Sequence, residues 1–331
     1  MMTLSCLLFA SCTKEIEFNG DQTDPKLVMN GIIEPNKPIS LNVSKSYFFL
    51  DNEGNTLPPD DLQATLYVNG NRIGEMTSYY DTLLSYDYWG VNDASMGHVV
   101  KVYTHEYCPS VGDVVTIAAS ANGYDDAEAT ASPIPDEVTW SISDCQIEYV
   151  EKETYEYEGD TSVTVTGRWE LVVEINDPNP GQTGYYRIHV DEGGYYDYEN
   201  GITYYLSATY DDPVFGGSIT DDSYLDIDFQ SRPEGVFTDD LFDGKSYQIK
   251  IPLYLSGTFN SEPQPDLFQF SVRIERLSKE YYYYLNTCEQ TDEVMQFFTE
   301  PIQTYSNVKG GYGIVGSCTS SSDSFALPLE R

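Results

Sequence analysis

The stretch Phe268-Gln269-Phe270-Ser271-Val272-Arg273-Ile274-Glu275 decides the fold. Apolar and polar residues alternate along it without a fault. Because successive side chains of a β-strand point to opposite faces, this pattern predicts a strand with one buried and one solvated face. Residues 163–175 repeat the pattern over a longer span, with Val163, Trp169 and Ile175 among the apolar positions of one face. We therefore expect a mainly β protein.

Residues 26–131 contain short predicted strands separated by turns. The strand at 39–43 alternates strictly, and the Asn69-Gly70 pair predicts a hairpin, because a type I′ turn needs positive φ at both central residues. Such regularly spaced strands are typical of an immunoglobulin-like β-sandwich. The two prolines of Ser132-Pro133-Ile134-Pro135 predict a stiff domain boundary. A larger β-sandwich-like domain is expected over 136–331.

One helix is predicted near residues 279–299, within the larger domain. Ser278 is placed to cap its first turn, and Glu280 lies beside the positive end of the helix dipole. Apolar side chains follow at helical spacing until Pro301. We expect this helix to cover one face or end of the second domain.

The amino-terminal end carries an apolar run, residues 4–11, that stops at Cys12. The run is too short to span a bilayer, and small residues directly before a cysteine are typical of a bacterial lipoprotein signal peptide. This predicts removal of residues 1–11, palmitate-type acylation of Cys12 and a tether over 12–25. Two or three acyl chains anchor a protein durably, because each buried methylene adds about 0.8 kcal/mol. The alternative is a buried N-terminal strand with a chance cysteine.

The charge of the chain is strongly acidic, with 54 Asp and Glu against 17 Lys and Arg, a net of −37. Nucleic acid is therefore not expected as a partner, because its phosphates would be repelled. Anionic lipid headgroups would also repel the body, so membrane attachment has to come from the acyl chains. The composition favours a solvated surface that faces the outside of a cell.

Four cysteines remain in the body of the protein: Cys108, Cys145, Cys288 and Cys318. An exported chain with four cysteines is expected to form two disulfides, and three connectivities are open. Neighbour pairing would close loops of about 37 and 30 residues and contribute roughly 3–4 kcal/mol each in the chain-entropy model. Their spacing matches no zinc pattern.

Catalytic motifs are missing from the sequence, and we expect no enzyme activity. The three histidines are His98, His105 and His189, and no nucleophile elbow, zinc-protease motif or phosphate loop occurs. A hydrolase that uses two carboxylates stays an alternative, but no residue is named as catalytic.

Aspartates gather between residues 211 and 240, where oxygen ligands could hold calcium. The alternative is a solvated acidic surface, and no cofactor is expected. The aspartates are Asp211, Asp212, Asp221, Asp222, Asp226, Asp228, Asp239 and Asp240.

Tyrosines of the stretch 191–212 are the binding candidates. Neighbouring glycines would present their rings on turns, and tyrosine offers stiff contact area with a polar tip. Core packing and decoration of edge strands are the alternative. The candidates are Tyr195, Tyr196, Tyr198, Tyr204 and Tyr205.

Several segments together resemble a known lipoprotein family of Bacteroidota, domain of unknown function 4249. The resemblance is carried by 11–16, 25–34 and 44–48, and most specifically by Leu277-Ser278-Lys279-Glu280-Tyr281-Tyr282-Tyr283-Tyr284-Leu285 and Tyr305-Ser306-Asn307-Val308-Lys309-Gly310-Gly311-Tyr312-Gly313-Ile314-Val315-Gly316. It covers nearly the whole chain. It implies an outer-membrane lipoprotein, often encoded near a TonB-dependent transporter, and it carries no catalytic residues.

These observations lead to one expected function and two alternatives. We expect a lipid-anchored, cell-surface outer-membrane protein that acts without chemistry as an accessory or ligand-capture partner of a TonB-dependent transporter. A surface adhesion or assembly module is the first alternative, and a surface glycoside or peptide hydrolase is the second.

Overall fold

A computed structural model describes nine stretches of the chain: residues 24–47, 56–83, 98–157, 160–191, 193–197, 202–216, 235–260, 268–288 and 304–328. The predicted signal peptide, Cys12 and most of the tether lie outside these residues. Within the described stretches, the helical segments are too short or too polar to cross a membrane.

The first part of the chain forms short strands, as the turn spacing predicts. Asn69 and Gly70 have φ angles of 50° and 76°, which confirms the hairpin turn that this dipeptide predicted. The strands are β1 (Leu27–Ile33), β2 (Ile39–Lys45), β3 (Gln63–Val68), β4 (Asn71–Glu75), β5 (Thr77–Leu83), β6 (His98–His105), β7 (Val115–Ser120) and β8 (Ala127–Thr130).

The second part has longer strands and one helix. A 3-10 turn lies at Pro213–Phe215, between two of these strands. The elements are β9 (Thr139–Tyr157), β10 (Asp160–Asn176), β11 (Tyr185–Val190), β12 (Gly193–Asp197), β13 (Ile202–Ala208), β14 (Val236–Thr238), β15 (Ser246–Phe259), β16 (Gln269–Leu277), α1 (Lys279–Cys288), β17 (Val308–Lys309) and β18 (Tyr312–Ala326).

The described strands assemble into three sheets. An eight-stranded sheet has the order β14-β11-β16-β18-β1-β2-β6-β5, and strands of both parts of the chain share it. A five-stranded sheet, β17-β8-β7-β3-β4, belongs to the first sandwich, and a second one, β12-β13-β15-β10-β9, belongs to the larger sandwich. One continuous sheet therefore runs through both sandwiches.

Strand β18 joins the two halves of that sheet. Its first half pairs in parallel with β1, from Tyr312 opposite Val28 to Ser317 opposite Ile33. Its second half pairs antiparallel with β16, beginning at Cys318. The carboxy-terminal strand is thus hydrogen-bonded to the first strand of the fold.

Two separate hydrophobic cores fill the sandwiches. The first contains Leu27, Met29, Leu66 and Ile117, and the second is built around Trp169 with Tyr186 and the aromatic residues of β15 and β16. Burial alternates along β15 over most of its 14 residues, as a strand with one buried face requires.

These sheets confirm the predicted mainly β class, an N-terminal immunoglobulin-like sandwich followed by a larger sandwich with a helix. The structure adds one point to the predicted domains 26–131 and 136–331: residues 308–317 pair with strands of the first sandwich. The predicted helix is present over 279–288, and its predicted continuation to 299 lies outside the described residues.

Candidate functional site

Helix α1 lies on the outer face of the eight-stranded sheet, against β18, β11 and β14. Its start is fixed by the buried Ser278, whose Oγ accepts hydrogen bonds from the backbone N–H of Tyr281 at 3.4 Å and of Ser317 at 3.0 Å. The N–H of Ser278 in turn donates to the carbonyl of Ser317 at 2.8 Å. The predicted N-cap is therefore present, and it also fastens the helix to β18.

The first turn of α1 also holds the connection between the two sandwiches. The Ser132 hydroxyl donates to Glu280 Oε1 at 2.6 Å, and the Ser132 N–H donates to Oε2 at 3.3 Å. Farther along the connection, the Thr319 hydroxyl donates to the carbonyl of Pro135 at 2.5 Å. The predicted stiff boundary is thus held by side chains of the second sandwich as well as by its prolines.

Successive residues of α1 face different directions, because an α-helix turns by about 100° per residue. Tyr281, Tyr284 and Leu285 face the outer side of β1 and β2 and form a wall above the sheet. The floor below them carries three polar side chains, Asn30, Ser40 and Asn42. The wall and the floor together line an open cavity of about 400 Å³, which we call the helix groove.

The floor of the helix groove presents side-chain amides. Asn30 and Asn42 are direct cross-strand partners on β1 and β2. Asn30 Oδ1 accepts a hydrogen bond from the N–H of Ile314 at 3.3 Å, which leaves its amide NH₂ as a donor. In the wall, burial and a hydrogen bond to Cys288 raise the pKa of Tyr284 to about 12, so its hydroxyl stays protonated at neutral pH.

Charged side chains lie beneath α1, behind Tyr281. Glu275 is 6% exposed, is the cross-strand partner of Arg187, and forms an ion pair with Arg273, whose Nη2 lies 3.0 Å from Oε1. Its other oxygen, Oε2, has no partner among the described residues. Burial, then the Glu275 carboxylate, raises the pKa of Tyr281, and the Arg187 guanidinium opposes this rise.

The opposite side of α1 carries an aromatic patch. Tyr282 and Tyr283 contact Tyr185 of β11, with ring centroids 4.7 and 6.3 Å apart, and Tyr305 lies 5.6 Å from Tyr283. Lys279 lies 5.7 Å from the Tyr283 ring centroid. Four consecutive tyrosines thus supply both a groove wall and a partly exposed surface.

The tyrosines predicted from sequence divide between the core and the surface. Tyr204 is half-buried and contacts the rings of Phe259 and Phe270, so it packs against the second core. Tyr205, its neighbour on β13, is 52% exposed. Tyr195 and Tyr196 belong to β12, with side chains that are not described, and Tyr198 lies outside the described residues.

Three of the aspartates considered for calcium, Asp212, Asp239 and Asp240, have local hydrogen-bond partners, and Asp211 is exposed. Asp212 is buried and accepts hydrogen bonds from the N–H groups of Val214 and Lys250 and from the Tyr247 hydroxyl. Asp239 accepts from the N–H of Gly184. No group of three or more potential metal ligands occurs among the described residues, and Asp221, Asp222, Asp226 and Asp228 lie outside them.

No disulfide joins any two of the four body cysteines in the described structure, and the disulfides remain a prediction from the sequence. The topology separates them: exposed Cys108 follows β6 in the first sandwich, whereas Cys145 lies on β9 in the second. Cys318 is buried on β18, and burial followed by the Glu275 and Glu34 carboxylates raises its pKa to about 12.

The comparisons with known proteins identify a family. The family described as Domain of unknown function (DUF4249) matches residues 13–324. The chain belongs to the DUF4249 family. No curated relative matches it.

Three solved structures align with this DUF4249 member at low identity. One is a protein from Corynebacterium diphtheriae described as membrane-anchored, which aligns at 11% identity with a TM-score of 0.19. The alignment covers 78% of this chain and 55% of the Corynebacterium protein. A collagen adhesin from S. aureus aligns at 9% identity over 93% of this chain and 96% of its own, with a TM-score of 0.12. The collagen binding domain of Erysipelothrix rhusiopathiae surface protein RspB aligns at 10% identity over 91% and 96%, with a TM-score of 0.11.

The glycine-rich segment that suggested DUF4249 has a structural role in this member. Gly313 has a φ of 101°, and a Cβ there would collide with the carbonyl of Met29. Asn307 accepts a hydrogen bond from the N–H of Val315 at 3.0 Å and donates to its carbonyl at 2.8 Å. These residues let β18 approach β1 closely and so build one side of the groove.

The groove asparagines were not identified from the sequence. Asn30 stands at an outward position of β1 between the apolar residues Val28 and Ile32, whereas Asn42 falls in the regular polar–apolar alternation of β2. The polar amide of Asn30 in an apolar strand is the signal that could have indicated a covered sheet face. Nothing in the local pattern indicates that α1 lies above them.

Proposed function

We propose that this protein is a lipid-anchored, outer-membrane ligand-capture protein that serves a TonB-dependent transporter and performs no chemistry itself. The observation that carries the proposal is the helix groove. Aromatic walls with a few open polar groups are typical of sites that bind small ligands, and a volume of about 400 Å³ lies within their usual range.

Rigid surroundings support capture. The floor belongs to β1 and β2, which are each hydrogen-bonded on both sides within the eight-stranded sheet. The wall is held by Ser278 and Glu280, which connect α1 to β18 and to Ser132. A site that is ordered before binding loses less conformational entropy when the ligand arrives.

The position of the groove fits attachment at Cys12. Fourteen residues separate Cys12 from Leu27, the first residue of β1, and such a length spans at most about 50 Å. Because β1 itself provides part of the floor, an acylated Cys12 would hold the groove within this distance of the bilayer. The net charge of −37 would keep the body in water.

Purification of the tagged, full-length protein from native outer membranes tests this function. We expect a TonB-dependent transporter to be recovered with the wild-type chain in stoichiometric amount after mild crosslinking. The matched variant Cys12→Ser should leave the membrane fraction and lose the transporter. Recovery of wild-type protein alone, at natural abundance, would refute the accessory role, and recovery with pilus or matrix components instead would favour adhesion.

A further inference from the structure

The helix groove is uncharged although the protein is strongly acidic. The side chains that line it are amides, hydroxyls, aromatic rings and aliphatic groups, and none carries a charge. An anionic ligand would meet no cation at its floor and would approach against a net charge of −37. A cationic ligand would find no carboxylate in the lining. The groove therefore suits a neutral molecule.

The floor of the helix groove offers hydrogen-bonding side chains, but the backbone N–H and C=O groups of its strands are already paired within the sheet. Strand β1 is paired with β18 and β2, and β2 is paired with β1 and β6, so their N–H and C=O groups are committed to the sheet. An extended peptide could not add to these strands as it adds to a sheet edge. No described group hydrogen-bonds to the Asn42 amide or the Ser40 hydroxyl, and both residues line the groove.

The amides stand at a spacing that fits a polyhydroxylated ring. Cross-strand partners such as Asn30 and Asn42 have Cβ atoms about 4.5–5.5 Å apart, and each amide offers two N–H donors and a carbonyl acceptor. Hydroxyl groups on one sugar ring can both donate and accept at such a spacing. The ring of Tyr284 in the opposite wall provides an apolar surface for the carbon–hydrogen face of the sugar.

We propose that the helix groove binds a neutral saccharide of one to three residues, with Asn30 and Asn42 bonded to its hydroxyls and Tyr284 packed on its ring. This inference rests on the proposed capture function and names the class of ligand for the same site. The uncharged lining disfavours charged ligands, the paired strands leave no edge for an extended peptide, and the aromatic wall offers a surface on which a sugar ring can pack.

Binding is tested with the detergent-solubilised, lipidated full-length chain by isothermal titration calorimetry. The probes are cellotriose, maltotriose and mannotriose, with trigalacturonic acid as the anionic counterpart and trialanine as the peptide. We expect at least one neutral trisaccharide to bind and trigalacturonic acid and trialanine not to bind.

Variants assign the binding to the groove. Asn42→Ala should weaken saccharide binding about tenfold or more, the effect of losing roughly 1.4 kcal/mol of hydrogen bonding. Tyr284→Ala should weaken it similarly, whereas Tyr284→Phe should stay within about twofold. Tyr283→Ala, which removes the neighbouring ring on the other side of α1, is the matched control and should leave binding unchanged.

The outcomes separate this inference from the function it rests on. Binding of trialanine or trigalacturonic acid in preference to every neutral sugar would overturn the saccharide class and leave capture intact. Sugar binding that Asn42→Ala and Tyr284→Ala do not change would overturn the groove as its site. Absence of binding to all five probes, with the transporter still recovered from membranes, would overturn the saccharide inference alone.

Discussion

Replacing Ser278 by alanine is expected to lower the free energy of unfolding by about 2–4 kcal/mol. The hydroxyl caps the first turn of α1 through the N–H of Tyr281 and accepts the N–H of Ser317 from β18. Loss of a serine N-cap costs about 1 kcal/mol. Ser317 is fully buried, and leaving its N–H without an acceptor adds about 1–3 kcal/mol.

The assay is urea unfolding followed by circular dichroism, combined with amide hydrogen exchange over α1. Ser278→Ala should lower the urea midpoint with little change in slope, and the amides of 279–288 should exchange faster than those of β15. The control is Ser322→Ala on the same strand, β18, where the side chain is exposed and the expected change is within about 0.5 kcal/mol. Equal midpoints for the two variants would refute the role assigned to the cap.

Three further predictions concern the reactivity of two cysteine thiols, the titration of Tyr247 and the packing of α1 on β18. In the native protein at pH 8, iodoacetamide should alkylate the exposed Cys108 and spare Cys318, because burial raises the pKa of Cys318 to about 12. Peptide mass spectrometry that finds equal labelling of the two residues, or a disulfide-linked pair, would contradict a shielded Cys318 thiol. Burial, followed by a hydrogen bond to the Asp212 carboxylate, raises the pKa of Tyr247 to about 12, from about 10 in the unfolded chain. The contribution of Tyr247 to stability is therefore complete below pH 10 and is lost as the pH rises towards 12. A urea midpoint that does not change between about pH 10 and pH 12 would contradict this prediction. Gly316→Ala places a Cβ 2.9 Å from the Cβ of Tyr281 and should destabilise the protein by about 1–3 kcal/mol, because α1 has to move away. Thermal unfolding measures the loss of stability. A variant as stable as the wild type would show that α1 does not pack against this position.

Much of the local structure could be predicted from the sequence. The alternating stretches became β10 and β16, the Asn69-Gly70 pair became the hairpin turn, and the helix begins where Ser278 predicted. These features depend on neighbours only a few residues apart. The candidate site could not be predicted in this way, because Asn30 and Ile314, which are hydrogen-bonded in the groove, are 284 residues apart.

Glu275 shows where prediction from one strand stops. Its place in the alternation of β16 predicts a solvated side chain, yet it is 6% exposed. Helix α1 follows β16 in sequence but folds back across the sheet, against the strands β11 and β18 on either side of β16. Tyr281 of α1 is then close enough to Glu275 for the carboxylate to raise the pKa of the tyrosine. The two-residue alternation along a strand predicts which side chains share a face of the sheet, but it does not predict which other element covers that face.

The amino-acid sequence alone determined the strand class, the turn at Asn69-Gly70, the helix cap and the acidic character, because each follows from residue type and short-range geometry. The tertiary structure alone decided that β18 would insert beside β1, that one sheet would serve both sandwiches, and that four tyrosines would divide between a groove and a patch. Those outcomes depend on hydrogen bonds and packing between residues hundreds of positions apart. No local periodicity encodes such contacts.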